Sequence, residues 1–553
     1  MYERKRKVSP VLVGGIIAVL FFVGLIVFGL SDVFAGKGLE RLKNRLPVKV
    51  ETAEKVMGQL DLTGSDLYDE LPDIDRYPVQ VQGTGDVDIE IFTSGEKAGS
   101  GHDGWLVDCA RKFNASDAAL GDGRTVSLTV RLVGSGLGAD YILSGKARPD
   151  LYNPSNPMFA DYAIANGAPM SLYRDRLVGN TAGILVKKDM SADYPDADSV
   201  IRAVMAGEIS LGYTNPQNSA TGANLLVYFL NKHSSGVSDA SRADLRMFNA
   251  NIPYIAYTTQ QMVTSAASGS FDAIVSERQA YVNDPNLVGM YDYLPFGLRH
   301  DNPVYLVDEA VPDPARAAAV DLVLDYLSGK EAQRLATEYG FNQPEDERYE
   351  STYRTYGAEV GRALAMYKAE KDAGKDVVAV FVADCSGSMD GAGILELKAS
   401  LSNSIKYINE NNKIGLVSYS SDVTKELPIG TFDMKQKAYF QGAVDRLKPG
   451  GTTSTYEALV VALDMVKEAR KDYPDAKAMV FLLSDGKAYG RYTLSTVEDV
   501  IAEEKVPIYT IAYTADADLD ELRRVSEINE ATAIAAGTDD IVYQLKSLFN
   551  SQL

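Results

Sequence analysis

The sequence predicts an α/β protein in which two regions built on parallel sheets follow a single N-terminal transmembrane helix. Three observations lead to this fold class. An uncharged apolar run lies near the N-terminus, a middle region alternates strand and helix patterns, and the C-terminal region repeats that alternation. Because 553 residues are too many for one hydrophobic core, we expect roughly 2–4 domains.

Charge, cysteine and histidine content exclude several classes of function. A net charge of −21 argues against nucleic-acid binding through a broad basic surface. The two cysteines, Cys109 and Cys385, provide neither a disulfide framework nor a zinc cluster, and the three scattered histidines indicate no activated nucleophile. Because the P-loop and HExxH motifs are also absent from the sequence, we predict a binding protein and not an enzyme.

The apolar run Val11–Leu30 has the length of a membrane-spanning helix, which needs about 20 apolar residues, and we assign the span to residues 10–31. A basic tail, residues 1–9, precedes it. The positive-inside rule therefore places the tail in the cytoplasm and the bulk of the chain outside, in a single-pass protein of the cell membrane. A cleaved signal peptide ending near Ala35 is the alternative, although the run is longer than a usual signal core.

The next segment, residues 32–85, is expected to be a stalk with little core of its own. It combines a short amphipathic stretch, Leu39–Leu46, with an acidic, turn-rich sequence. The alternating pattern of Val87–Phe92 then begins the middle region, and Val126–Val133 is predicted as its second strand. Further strand–helix units follow, so we expect a parallel α/β sheet.

Loops rich in Gly, Ser, Thr and Asn follow these strands. In chain order they are Thr93–Lys97, Gly134–Gly136, Pro149–Asn156, Asn180–Gly183 and Thr214–Gly222, before a closing Gly329–Gln333. With these loops, residues 86–345 resemble type II periplasmic solute-binding proteins. The resemblance implies two lobes whose cleft holds a small anionic solute or a peptide through backbone N–H groups and hydroxyls at helix starts.

The resemblance also provides candidate ligand contacts in that cleft. They are Ser94, Gly95, Ser135, Gly136, Ser219 and Thr221. Two alternatives stay open. These residue types are ordinary helix caps and turn residues, and the cleft could have exchanged solute binding for a role as an adaptor surface.

Residues 346–375 are predicted to be a solvated helical linker, and residues 376–553 to be a second α/β domain. Its expected strands are Val377–Ala383, Lys413–Tyr419, Ala478–Leu483 and Ile508–Tyr513, with amphipathic helices between them. Mostly apolar strands flanked by such helices indicate a doubly wound sheet covered on both faces. Ligands of such sheets bind beyond the carboxyl ends of the strands.

Three loops of this domain carry hard oxygen donors. They are Asp384-Cys385-Ser386-Gly387-Ser388, Gly450-Gly451-Thr452-Thr453 and Ser484-Asp485-Gly486. Such donors suit Mg²⁺ or Mn²⁺ better than zinc or copper. The ordered trio resembles the von Willebrand factor A (VWA) domain with its metal-ion-dependent adhesion site, which is a doubly wound, Rossmann-like fold.

By this resemblance, the metal-site positions are Asp384, Ser386, Ser388, Thr452 and Asp485. It implies that the two serine hydroxyls ligate directly, that the two aspartates act partly through water, and that the threonine alternates between both modes. The implied metal is Mg²⁺, with Mn²⁺ or Ca²⁺ as alternatives, and an Asp or Glu of a protein partner fills the open position. A degenerate site that keeps the sequence without binding metal is the alternative.

Two functional hypotheses follow from this organisation. The first is a membrane-anchored protein for adhesion, assembly or sensing, in which the VWA-like domain captures an acidic partner and the middle domain binds a solute or peptide. The second is a transport-associated receptor for an anion. It assigns no role to the C-terminal domain.

Overall fold

The computed structural model describes residues 37–45, 48–62, 66–256, 259–266, 271–308, 313–351, 357–372, 374–485, 488–513, 517–529, 531, 533–535 and 548. They form two compact units. The C-terminal unit holds residues 37–60, 378–398 and 412–535, and the middle unit holds residues 61–377 and 399–411. None of the helices within these ranges is long and apolar enough to cross a membrane. The predicted tail, span and cleavage site lie outside the described residues.

The first described segment belongs to the C-terminal unit, which corrects the expectation of a stalk over residues 32–85. It contains the helix Lys37–Arg45 and the strand β1, Val50–Thr52. Leu39 and Leu42 are buried in the core of that unit, and β1 pairs in parallel with the strand Val423–Thr431. The short strand has an exposed burial pattern, so its sequence carries no periodic signal of this pairing.

The middle unit contains two mixed sheets. Its strands are β2 Val79–Val81, β3 Val87–Thr93, β4 Val126–Leu132, β5 Leu151–Asn153, β6 Met170–Arg174, β7 Thr181–Lys187, β8 Leu211–Thr214, β9 Tyr254–Ala256, β10 Ala273–Glu277, β11 Tyr291–Arg299 and β12 Val304–Val307. One sheet has the order β2-β4-β3-β5-β12-β6, and the other has the order β11-β7-β10-β8-β9.

The expectation of a purely parallel sheet is wrong for this unit. Strand β3 runs parallel to β4 and β5, but β7 runs antiparallel to β10 and β11, and β12 runs antiparallel to β5 and β6. The chain leaves the first sheet after β6 and returns for β12. Strands that enter a sheet through these crossings are not joined by a βαβ connection, so their direction is not fixed as parallel.

Helices cover both sheets of the middle unit. They are Leu67–Glu70, Gly95–Ala98, Trp105–Asn114, Ser135–Ser144, Met158–Ala165, Ala197–Ala206, Ala220–His233, Arg242–Ala250, Thr259–Ala266, Arg278–Asn283, Pro285–Met290, Pro314–Leu327, Lys330–Glu338, Pro344–Arg348 and Gly357–Glu370. The last of these corrects the solvated linker helix predicted in residues 346–375. Val360 and Tyr367 are fully buried in the core of the middle unit, and Glu370 pairs with Arg242.

The C-terminal unit is built on one sheet of seven strands. Its further strands are β13 Val377–Asp384, β14 Lys413–Tyr419, β15 Val423–Thr431, β16 Lys477–Ser484, β17 Ile508–Ala512 and β18 Ala533–Ala535. The helices of this region are Ala392–Ser404, Met434–Arg446, Thr455–Asp472, Leu494–Glu504 and Leu519–Glu527. The sheet order is β1-β15-β14-β13-β16-β17-β18, and β15 runs antiparallel to β14, so the expectation of a purely parallel sheet is wrong at this pair too. The four predicted strands are confirmed, and every residue of β13 is buried, as expected for a strand covered on both faces.

Candidate functional site

The first loop of the candidate metal site begins where β13 ends. The fully buried carboxylate of Asp384 accepts hydrogen bonds from neutral donors. Ser386 N donates to Oδ1 at 2.8 Å, and the hydroxyls of Tyr419 and Ser484 donate to Oδ2 at 2.9 and 2.8 Å. Burial raises the pKa of Asp384, and the charge of Asp485 raises it further, against the hydrogen bonds that lower it. Among the described residues, the groups that donate hydrogen bonds to this carboxylate are all neutral.

The two serine hydroxyls of this loop face each other. A 3-10 turn, Gly387–Met389, brings Ser386 Oγ to 3.0 Å from Ser388 Oγ. Ser386 is buried and Ser388 is exposed. One hydroxyl of the pair therefore lies in the interior with Asp384, and the other lies at the surface.

The second loop docks on the first through backbone hydrogen bonds. Gly387 N donates to Gly451 O at 3.1 Å, and Gly450 N donates to Cys385 O at 2.9 Å. Gly451 has a φ of 77°, a left-handed conformation that glycine adopts without strain. The next residue, Thr452, is exposed, and Ser421 Oγ accepts its N–H at 2.9 Å.

The third loop follows β16, the neighbour of β13 in the sheet. Asp485 is almost completely buried there, and its charge acts on Asp384. The structure therefore brings Asp384, Ser386, Ser388 and Asp485 to one edge of the sheet, and Thr452 lies in the loop docked beside them. The sequence motifs did not identify Tyr419, which donates to Asp384, or Ser421, which accepts from Thr452, and they gave Ser484 no role toward Asp384.

The middle unit encloses a cavity of about 510 Å³. Among the predicted contacts, Ser94, Gly95, Ser135, Ser219 and Thr221 line it, and Gly136 does not. Gly136 N instead donates to Asn218 O at 3.4 Å, and a Cβ at this position would lie 3.2 Å from the ring of Phe159. Ser219 also caps the helix Ala220–His233, because its Oγ accepts a hydrogen bond from Gly222 N at 3.3 Å.

An ion pair lies at the wall of this cavity, and the loop Thr93–Lys97 did not reveal it as a sequence pattern. Lys97 is fully buried, and its Nζ donates to Glu96 Oε1 at 2.5 Å, Ser94 Oγ at 2.9 Å and Asn302 Oδ1 at 2.7 Å. Ser94 Oγ and Ser155 Oγ also donate to Glu96 Oε1. Burial alone would raise the pKa of Glu96, but Lys97 and these hydroxyls outweigh it and lower the pKa to about 2.

Family models match both regions of the chain. Residues 379–550 match the von Willebrand factor type A domain, and residues 98–342 match the bacterial extracellular solute-binding protein family. The chain joins a solute-binding-protein-like domain to a C-terminal VWA domain.

Individual relatives are similar to parts of this arrangement. A VWA structure from Catenulispora acidiphila is 20% identical over 32% of this chain and 42% of its own, with a TM-score of 0.29. The sulfate-binding protein SubI from Mycobacterium tuberculosis is 17% identical over 50% of this chain and 96% of its own, with a TM-score of 0.36. Iron-bound HitA from Pseudomonas aeruginosa is 13% identical over 52% and 99%, with a TM-score of 0.39.

A curated relative, an uncharacterized protein of Synechocystis, is 29% identical over 106 residues, which are 19% of this chain. The chain spans about a quarter, 24%, of the length of that relative.

The donor chemistry of the VWA domain fits a hard divalent cation. Within the described ranges, no three His, Cys, Asp or Glu side chains cluster as a metal site, so the candidate set consists of hydroxyls with two aspartates. Oxygen donors of this kind suit Mg²⁺ and Mn²⁺. Burial raises the pKa of the Cys385 thiol to about 12, so this residue stays protonated under the loop and offers no thiolate ligand.

Proposed function

We propose that this protein is a membrane-anchored, extracytoplasmic binding protein for adhesion, assembly or sensing. In this proposal the VWA domain captures an acidic protein partner through a divalent metal ion, preferably Mg²⁺. The middle domain binds a small solute or a peptide in its cleft. Both domain types are typically binding modules and not enzymes.

One observation carries the metal-dependent part of the proposal. Within the described part of the chain, the fully buried carboxylate of Asp384 accepts hydrogen bonds from neutral donors only, next to Asp485 and near a pair of hydroxyls 3.0 Å apart. A carboxylate that is fully buried among neutral donors, as that of Asp384 is, is costly unless a cation compensates it. A bound cation would remove that cost.

The chain's own residues would share the work of holding such a metal. Ser386 and Ser388 would ligate through their hydroxyls, Asp384 and Asp485 would balance its charge, and Thr452 would approach from the docked loop. The metal would supply an open coordination position for a carboxylate of the partner. The hydrogen bonds of Tyr419 and Ser484 keep the Asp384 carboxylate fixed in orientation.

The proposed location follows from the N-terminal sequence. The basic tail, residues 1–9, and the apolar span, residues 10–31, support a single-pass anchor with the two domains outside the cytoplasm. A partner for the VWA domain would then be another surface or envelope protein.

Capture of proteins from an envelope extract tests the proposal. Immobilised full-length chain should retain an acidic partner with Mg²⁺ and release it with a chelator. Ser388→Ala should abolish this retention, whereas Ser495→Ala, an equally small change at an exposed site in the same unit, should preserve it. Retention that persists in chelator, or that survives Ser388→Ala, would refute the metal-dependent role.

A transport-associated receptor for a solute is the second candidate function. The cavity of about 510 Å³ favours it, since this volume suits a small molecule. Equilibrium dialysis of the full-length chain against labelled small solutes tests this function. Binding of a solute that Ser388→Ala leaves unchanged would separate solute recognition from partner capture.

A further inference from the structure

The cavity of the middle domain is lined by acidic side chains. Glu96, Asp103 and Glu277 line it, and none of the described lining residues is Lys, Arg or His. Burial raises the pKa of Asp103 to about 6, and the charges of Glu96 and Glu277 add to this effect. The three carboxylates therefore act on one another within the same cavity.

The buried lysine beside this lining, Lys97, neutralises one of these charges. All three N–H donors of its ammonium group are engaged in hydrogen bonds. Lys97 donates to Glu96, Ser94 and Asn302, and it has no exposed surface. An anion in the cavity could not reach this ammonium group without displacing Glu96. The second carboxylate oxygen of this glutamate, Glu96 Oε2, accepts no hydrogen bond from the described residues. The Glu96 side chain is 17% exposed.

A second acidic side chain of the lining, Glu277, has a histidine neighbour whose hydrogen bonds show where its proton lies. Its Oε1 accepts from Thr221 Oγ1 at 2.8 Å and from His300 Nδ1 at 3.0 Å. The amide groups of Asn156 and Asn224 both direct Nδ2 at His300 Nε2, at 3.1 and 3.2 Å. A nitrogen that accepts from two donors carries no proton, so the single proton of His300 is on Nδ1.

The two amide groups have a fixed orientation. Asn156 Oδ1 accepts from Met158 N at 3.0 Å, and Asn224 Oδ1 accepts from Leu298 N at 2.9 Å. Their Nδ2 groups therefore face His300, and this hydrogen-bond network assigns the single proton of His300 to Nδ1.

The arginine next to Glu277 is directed elsewhere. The guanidinium carbon of Arg278 lies 4.0 Å from the ring centroid of Tyr293, and its Nε is 3.2 Å from Asp346 Oδ1. Arg278 is not among the residues that line the cavity. Neither Lys97 nor Arg278 therefore offers its charge to a bound solute.

A side chain in the cavity wall has a buried acceptor without a partner among the described residues. Gln279 is fully buried and lines the cavity. Its Nε2 donates to His102 O at 2.9 Å and to Asp103 Oδ1 at 3.0 Å, which fixes the amide orientation. Its Oε1 then has no hydrogen-bond partner among the described residues. A buried acceptor of this kind is costly until a donor reaches it.

We propose that the cleft selects a small organic cation, an ammonium or amidinium group on an apolar body, and not an anion. The inference rests on the proposed solute-binding role of the middle domain and specifies its ligand. The cation would be attracted by Glu96, Asp103 and Glu277 and would donate a hydrogen bond to Gln279 Oε1. Tyr77, Leu132, Leu137 and Val263 line the same cavity and suit an apolar or aromatic body.

Two probes with the same ring and opposite charge test this proposal. Full-length chain in detergent is titrated calorimetrically with tryptamine and with indole-3-acetate. Agmatine and spermidine extend the cationic series, and sulfate and molybdate extend the anionic series. We expect at least one cation to bind at least tenfold more tightly than every anion.

Two variants link the preference to the cavity. Glu96→Gln should lose at least tenfold in affinity for the cation and gain affinity for anions, because Lys97 is then no longer neutralised. Asp103→Asn should weaken cation binding while keeping its hydrogen bond from Gln279. Glu208→Gln and Asp193→Asn remove one exposed carboxylate each in the same unit, and they should bind as the unmodified chain does.

Each result distinguishes the inference from the function on which it rests. Tighter binding of an anion would overturn the cationic ligand and leave solute binding intact. Absence of binding by both series would overturn solute binding together with this inference. A loss of cation affinity that is equal in Glu96→Gln and Glu208→Gln would show that the cavity is not the site.

Discussion

The metal loops of the VWA domain and the cleft of the middle domain both place carboxylates among hydroxyl groups beyond the ends of strands. They differ in how negative charge is balanced. Among the described residues, Asp384 accepts hydrogen bonds from neutral donors only, whereas Glu96 accepts one from the buried ammonium group of Lys97. The cleft therefore contains part of its compensating charge as a direct ion pair, and no described residue forms such a pair with Asp384.

The spacing of the groups then determines which cation each region suits. At the metal loops, Ser386 Oγ and Ser388 Oγ are 3.0 Å apart, a separation that small metal ions can bridge. In the cleft, the carboxylates are spread around about 510 Å³ with apolar walls, which suits an organic cation. The comparison teaches that similar residue types can suit different ligands, because their separation and their internal partners differ.

Replacement of Lys97, the cation inside the cleft region, should have the largest effect, and this effect is on the stability of the middle unit. Lys97→Met leaves the mostly buried Glu96 without its counter-ion, and loss of one partner of a buried pair costs about 3–5 kcal/mol. Hydrogen exchange of the β3 amides, Val87–Thr93, should show this loss of local stability. The double variant Glu96→Gln/Lys97→Met should recover most of it. Equal losses in both variants would show that Lys97 stabilises the unit by packing and not by charge.

Acidification should have a smaller effect, which is a loss of cation affinity in the cleft. The pKa of Asp103 is raised to about 6, through burial and the charges of Glu96 and Glu277 and against the Gln279 hydrogen bond and the charge of His102. The deprotonated form attracts a cation, so affinity should fall as the pH decreases through 6. For one group with this pKa, the loss between pH 7 and pH 5 is about tenfold.

Calorimetric titration with tryptamine across this pH range checks the expectation. Asp103→Asn should flatten the profile, and Asp193→Asn should keep it. The pKa of Glu96, about 2, places that group outside the window. A profile that stays steep in Asp103→Asn would assign the titration to another group.

The sequence predicts the metal loops more completely than the cleft. The DxSxS motif is contiguous, and Thr452 and Asp485 follow strand or loop patterns that the sequence shows directly. Glu277 ends β10 and Gln279 lies in the first turn of the following helix, and neither belongs to a local motif. They reach the cavity because β10 lies between β7 and β8 in a mixed sheet, and that strand order depends on long-range pairing.

The two errors on connecting segments have a similar physical cause. The helix Lys37–Arg45 and the helix Gly357–Glu370 both have many charged residues, which is typical of solvated segments. Each nevertheless buries one face, through Leu39 and Leu42 in the first and Val360 and Tyr367 in the second. A few apolar residues on one helix face suffice for docking, and the sequence does not identify the surface that receives them.

Titration of the full-length chain with Mg²⁺ tests the central claim, that the metal loops need an external cation, most directly. Wild-type chain should bind about one equivalent at this site, and Asp384→Ala should lose that binding. Asp499→Ala, a matched change at an exposed position of the same unit, should keep it. Equal Mg²⁺ binding by all three chains, or none by the wild type, would contradict the account.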